Sequence, residues 1–143
     1  MSDKYFVDKN MYPHDVAAGA KHDRAKALLE DLWRTRSGVI STQVLKELCV
    51  NLRRKAGRPL DMKATREIVT DYLSWDVVVN TGESVLEALE IENRYGVSFW
   101  DAVVIQVAES SGAAVLYSED LSDGQMYGAV RIVNPILPGH APS

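Results

Sequence analysis

The chain has 143 residues, 46% hydrophobic and 25% charged, so one compact domain with a sizeable core is expected over 1–143, ordered from about residue 4 to 133, and a disordered chain is excluded. The longest apolar run, residues 113–117, falls far short of the roughly 20 residues needed to cross a membrane. The net charge of −4 is unevenly placed: residues 1–72 carry 14 Lys/Arg against 10 Asp/Glu, and residues 73–143 carry only Arg94 and Arg131 against 10 Asp/Glu, which suggests two surfaces with different tasks.

The first residues hold no basic stretch followed by a long apolar one, so no secretory signal is expected, and a lone Cys49 suits a reducing cytoplasm. Lys4–Asp8 is short, aromatic and β-branched, a strand ending on an acid, and residues 12–19 with Pro13 and Gly19 form a loop. Ala25, Leu28, Leu29, Leu32 and Trp33 recur at helical spacing over Lys21–Arg36, with Gly38 closing that helix. A brief strand Val39–Ser41 leads into a second helix through Val44, Leu45, Leu48, Cys49 and Leu52, capped by Ser41 or Thr42. Cys49 sits on its apolar stripe as core filler. Arg53, Arg54, Lys55 and Arg58 end this helix, and a third starts at Asp61 and runs to about Ser74. Next come a strand Trp75–Val79, a helix Glu83–Tyr95 stopped by Gly96, a helix Phe99–Ser111, a buried strand Ala113–Ser118 and a last short strand Tyr127–Val133. Strands alternating with helices indicate an α/β domain: a central, mainly parallel sheet flanked by helices.

Ligands of such sheets lie outside the carboxyl ends of the strands. Asp8 falls there after the first strand, and Asp120 just past Ser118 after the fourth. Asp101 opens a helix whose positions 104, 105 and 108 are apolar, which turns its carboxylate partly inward, where it needs a partner. Each has a plain structural reading as well. Asp8, Asp120 and Asp123 could shape turns, Asp101 has the capping-box spacing from Ser98, and Glu47 alone is a surface glutamate beside Gln43, Val50 and Arg54.

Four strings in order, Phe-Val-Asp8-Lys-Asn10, Ser41-Thr-Gln-Val-Leu-Lys-Glu47, Ser98-Phe-Trp-Asp101-Ala and Leu116-Tyr-Ser118-Glu-Asp120-Leu-Ser-Asp123-Gly-Gln125, resemble the PIN-domain family, in particular the VapC-type toxins of bacterial toxin–antitoxin systems. The resemblance spans residues 5–125. It implies that Asp8, Glu47, Asp101 and Asp120 converge on one acidic pocket holding Mg²⁺ or Mn²⁺, with Asp123 as a further ligand beside Asp8, Asp101 and Asp120. The implied reaction is endoribonucleolytic cleavage. Asn10 and Ser118 would hydrogen-bond the acids or the phosphate. Clustered carboxylates need a compensating cation, and their hard oxygens suit Mg²⁺ or Mn²⁺, whereas none of the three histidines stands near these strings. The implied partners are RNA, a cognate antitoxin and a second copy of the chain, for which the helical stripes around Ala25–Trp33 and Thr65–Leu73 offer apolar surface. Arg53, Arg54, Lys55, Arg58 and Lys63 could supply phosphate contacts, or simply complement a helix dipole.

One position departs from the family pattern, in which Thr or Ser usually follows the first acid: here it is Lys9. Its ammonium either points away or enters the pocket and competes with a metal, which leaves open a PIN-like module that binds RNA or protein without efficient catalysis. A receiver domain is disfavoured because the Trp75–Val79 strand, taken as central, ends on Asn80 instead of an acid. A haloacid-dehalogenase-like phosphatase is disfavoured because position 10 is Asn.

Overall fold

The computed structural model describes residues 3–12, 19–54 and 59–135. Most of the expected loop at 12–19, and Lys55 and Arg58 of the basic cluster, lie outside that range.

The described chain forms β1 (Tyr5–Val7), a single 3₁₀ turn (Lys9–Met11), α1 (Ala20–Thr35), β2 (Gly38–Ser41), α2 (Thr42–Arg54), α3 (Met62–Tyr72), β3 (Asp76–Val78), α4 (Gly82–Tyr95), α5 (Phe99–Ser111), β4 (Val115–Tyr117), β5 (Met126–Tyr127) and β6 (Val130–Val133). The sheet order is β3-β2-β1-β4-β6-β5, parallel except where β5 meets β6. Phe6 is in register with Val39 on one side and Leu116 on the other, so Asp8, Ser41 and Ser118 come off the same end of three adjacent strands.

The strand order fixes where a ligand can enter. From β1 the chain steps outward through β2 to β3, then returns across β1 to place β4 on its other side. Right-handed crossovers therefore set α1, α2 and α3 on one face and α4 and α5 on the other. The two sets separate over the carboxyl ends of β1 and β4, which opens a crevice there.

Helix termini follow local chemistry. Ser41 Oγ accepts from the Val44 N–H, Asp61 from the Ala64 N–H, and Ser98 from the Asp101 N–H, each satisfying a backbone donor in a first helical turn. Gly96 and Gly112 end α4 and α5 in the left-handed region. Helix α1 departs from expectation, because Arg36, at φ 56°, takes the left-handed position assigned to a glycine. Gly38 instead begins β2 and serves packing: a Cβ there would stand 2.6 Å from the Trp75 ring.

Three further readings need correction. The terminal strand is a hairpin, β5 and β6, turned through Gly128 at φ 60° and Ala129. The Trp75–Val79 strand lies at the sheet edge, not its centre, so its ending on Asn80 does not bear on a receiver domain; β1, a central strand, does end on an acid. Lastly, the stripe of Ala25, Leu28, Leu29 and Leu32 is buried in the core, as are Thr65 and Tyr72 of α3, whereas Leu73, at the end of the second expected stripe, is exposed. Exposed apolar side chains stand also on α4, at Val85, Leu86 and Leu89, and at Met62 in the first turn of α3. Cys49 is half-buried at the margin of the core.

Phe6, Val7, Val39, Ile40, Leu116 and Ile132 form the sheet's share of the core, and each is fully buried. Trp33, Tyr72 and Trp75 meet edge to face or tilted at 5.0–5.2 Å between ring centroids, closing the end of the sheet opposite the crevice. Among the described residues no helix is long and apolar enough to cross a membrane.

Candidate active site

The crevice is a cavity of about 250 Å³ whose lining includes Asp8, Lys9, Ser41, Gln43, Glu47, Trp100, Asp101 and Asp120. The four expected acids thus reach one space from four elements: the end of β1, the middle of α2, the first turn of α5 and the loop after β4.

Asp8 is the most constrained. It is 6% exposed, one carboxylate oxygen accepts from the Lys9 N–H at 2.7 Å, and the other accepts from Ser118 Oγ at 3.3 Å. Ser118 is fully buried, and its oxygen also accepts from the Asp120 N–H at 3.2 Å, which commits its single proton to Asp8. The serine therefore ties the acid of β1 to the loop that carries Asp120. Burial pushes the Asp8 carboxyl up to about 6 and the Asp120 charge adds to the rise, while the Lys9 N–H and the Ser118 hydroxyl oppose it.

Glu47 is held from two sides. Gln43, one turn earlier, donates to it at 3.0 Å, and Lys9 Nζ stands 3.4 Å from its other oxygen. Lys9 therefore belongs to the cavity wall. Asn80, just past β3, fixes the start of α2 by accepting from Thr42 Oγ1 and the Gln43 N–H, and its own N–H donates to Thr42 Oγ1. The edge strand thereby sets the axis along which Glu47 enters the site.

The Asp101 N–H donates to Ser98 Oγ, but the Asp101 carboxylate makes no hydrogen bond or ion pair among the described residues, so the reciprocal half of a capping box is absent. It lines the cavity instead. Asp123 does not line it; its carboxylate accepts from the Asn134 N–H at 2.9 Å, a contact that braces the β4–β5 connection against the end of β6. The side chain of Asn10 lies outside the described atoms. Arg53 and Arg54 line neither this cavity nor the one beside it, and Arg53 Nε donates to the Cys49 carbonyl, the helix-end role. Lys63 is exposed on α3.

In donor chemistry this set fits a hard divalent cation: every acid offers oxygen, and Asp8 is a buried carboxylate whose ionised form lacks full compensation. The side chains as placed surround the cavity and do not close on a point, since no three His, Cys, Asp or Glu side chains among the described residues stand as a group able to hold a metal.

Sequence reasoning did not pick out Gln43 and Trp100 among the lining residues. Gln43 was legible only as a helix flank. Trp100 was legible as part of the third string, but its exposure of 65% was not.

A family model described as PIN domain matches residues 5–122. In structure the chain is similar to VapC20 of Mycobacterium tuberculosis, titled a sarcin-ricin loop cleaving toxin, at 24% identity and a TM-score of 0.59, covering 90% of this chain and 99% of that one. It is similar as well to PAE2754 from Pyrobaculum aerophilum, at 25% identity and a TM-score of 0.54, covering 82% of this chain and 80% of that one. No curated protein matches the sequence.

Proposed function

The chain belongs to the PIN-domain family, and from that premise we propose that it is a Mg²⁺- or Mn²⁺-dependent endoribonuclease, the toxin of a toxin–antitoxin pair of VapC type acting in the cytoplasm. The observation that carries the reading is the arrival of Asp8, Glu47, Asp101 and Asp120 from four separate elements in one cavity at the point where the sheet's connections diverge.

Asp8, Asp101 and Asp120 are the residues that would hold the cation. Asp123 lies outside the cavity lining and would join them only if its loop, held by the Asn134 N–H, moved toward the cavity. Bound there, the ion would supply a water of lowered pKa and neutralise charge building on the phosphate. The chain's own contribution is orientation. Ser118 and the Lys9 N–H fix both oxygens of Asp8, and Gln43 aims Glu47 across the cavity. An acidic site repels a polyanion, and the Lys9 ammonium within the wall softens that repulsion for an incoming phosphate.

The resemblance of the four strings to VapC-type toxins supports RNA as the substrate and an antitoxin as the natural inhibitor, and the fold shared with a sarcin-ricin loop cleaving toxin agrees with it. A basic side chain of that partner entering the acid cluster would pair with the carboxylates. For a homodimer the exposed apolar side chains of α4, and Leu73 at the end of α3, offer surface. A second reading rests on the Lys9–Glu47 contact: the lysine already partners one acid, which favours an RNA- or protein-binding module with a weakened metal site. Incubation of single-stranded RNA with the protein and Mg²⁺ or Mn²⁺, with and without EDTA, separates the two. Internal cleavage abolished by EDTA and restored by excess metal supports the nuclease, and RNA binding without cleavage overturns it.

A further inference from the structure

Trp100 is the largest apolar side chain on the rim of the acidic cavity, and it is 65% exposed while it lines that cavity alongside Asp8, Asp101 and Asp120. Its position is built. Ser98 caps α5 two residues earlier, and the half-buried Phe99, anchored on the core, meets the indole edge to face at a centroid distance of 5.6 Å. An indole so placed is open to solvent at the edge of the site where the chemistry is proposed.

On its far side the cavity continues past Lys9 and Glu47, which line both spaces, into an open cavity of about 380 Å³ bounded by Lys46, Val50 and Asn51. Trp100 lines only the first cavity and Lys46 only the second. An exposed indole, an acid centre and a groove carrying the Lys46 ammonium beside the Lys9–Glu47 pair suit a single strand carrying a base, a phosphate and a further phosphate along its length. A protein partner would satisfy the indole but has no need of that succession.

We infer that Trp100 forms a nucleobase subsite, on which the base beside the scissile phosphate stacks while the strand leaves through the Lys46 groove. The inference rests on the nuclease reading of the cavity and adds to it the residue that grips the substrate. Stacking has no donor–acceptor code, so the subsite selects unpaired nucleotides over duplex with little preference among bases.

The test compares wild type, Trp100→Ala and Trp100→Tyr on one single-stranded RNA under Mg²⁺. Trp100→Ala is expected to raise KM roughly tenfold or more with kcat retained, and Trp100→Tyr to restore KM most of the way. In EDTA, the same RNA as an intact oligonucleotide should quench tryptophan emission of the wild type. It should leave Trp100→Tyr, with Trp33 and Trp75 as its remaining indoles, unquenched. An unchanged KM in Trp100→Ala together with equal quenching of wild type and Trp100→Tyr overturns the subsite. So does a KM change accompanied by loss of a dimer in light scattering, which would assign the indole to contact between copies. If the wild type cleaves no RNA, the nuclease reading fails by itself, and the quenching in EDTA then decides the subsite alone.

Discussion

Replacing Asp8 with asparagine removes a charge that burial opposes while keeping the side chain's shape. The carboxyl is 6% exposed and is raised from 3.8 to about 6, first by burial and then by the Asp120 charge, against the Lys9 N–H and the Ser118 hydroxyl. A folded-state pKa above the unfolded one means that the native protein holds the proton more tightly, so stability falls as pH rises from about 4 through about 6. The rise to about 6 corresponds to about 3 kcal/mol at neutral pH. Asparagine recovers less than that, because its amide faces Ser118 Oγ, whose proton must then turn away while the oxygen keeps accepting from the Asp120 N–H. A net gain of about 1.5–2 kcal/mol remains, which in a domain of this size raises Tm by about 6 °C. Urea and thermal unfolding followed by circular dichroism in EDTA, at about pH 7.5 and about pH 4, measure it. Asp8→Asn should be more stable than wild type at the higher pH and slightly less stable at the lower, where the wild-type carboxyl is protonated when folded and the cost of the asparagine amide facing Ser118 remains. A variant less stable than wild type at pH 7.5, or an equal difference at both pH values, would refute the assignment of Asp8 as a buried carboxylate short of compensating charge.

Other outcomes follow from named contacts. Lys9→Thr removes an ammonium from the cavity wall; a unit charge about 8 Å from a cation at an effective dielectric of about 20 costs about 2 kcal/mol, and because Lys9 is half exposed only part survives screening. The Mg²⁺ concentration for half-maximal cleavage should therefore fall severalfold, and an unchanged titration would show that the ammonium does not act on the site. Gly38→Ala forces a methyl into the Trp75 ring and should lower stability by about 1–3 kcal/mol in urea unfolding. Arg36→Gly relieves a left-handed backbone at a non-glycine residue and should raise stability by up to about 1 kcal/mol, with RNA cleavage unaffected.

Much of this architecture was legible because it is dictated locally. Helix α5 begins and ends where expected since Ser98 supplies an oxygen for the Asp101 N–H and Gly112 takes a left-handed turn at no steric cost. Asp8, Asp101 and Asp120 could be placed at strand ends and a helix start, but each also had a turn or cap reading, and only the resemblance of the four strings set them with Glu47 in one pocket. What failed depends on distant partners. Strand order is not written in any one strand, so β3, apolar in sequence, was placed at the centre when it lies at the edge. Arg36 was overlooked because its conformation is exceptional for its type, and Gly38 was misassigned because its purpose is the ring of Trp75, 37 positions away. The fates of Lys9 and Asp123 were set by long-range contacts, one with Glu47 and the other with Asn134. Trp100 was quoted in a motif, yet its exposure follows only from how α5 meets the cavity.

The central claim is that four carboxylates from four elements form one hydrolytic centre, and Asp101 tests it most directly because its carboxylate has no structural bond to lose among the described residues. Single-turnover cleavage of a single-stranded RNA under saturating Mg²⁺ should be abolished in Asp101→Asn, while its melting temperature in EDTA stays at or above that of wild type. Cleavage by Asp101→Asn at the wild-type rate would contradict the account.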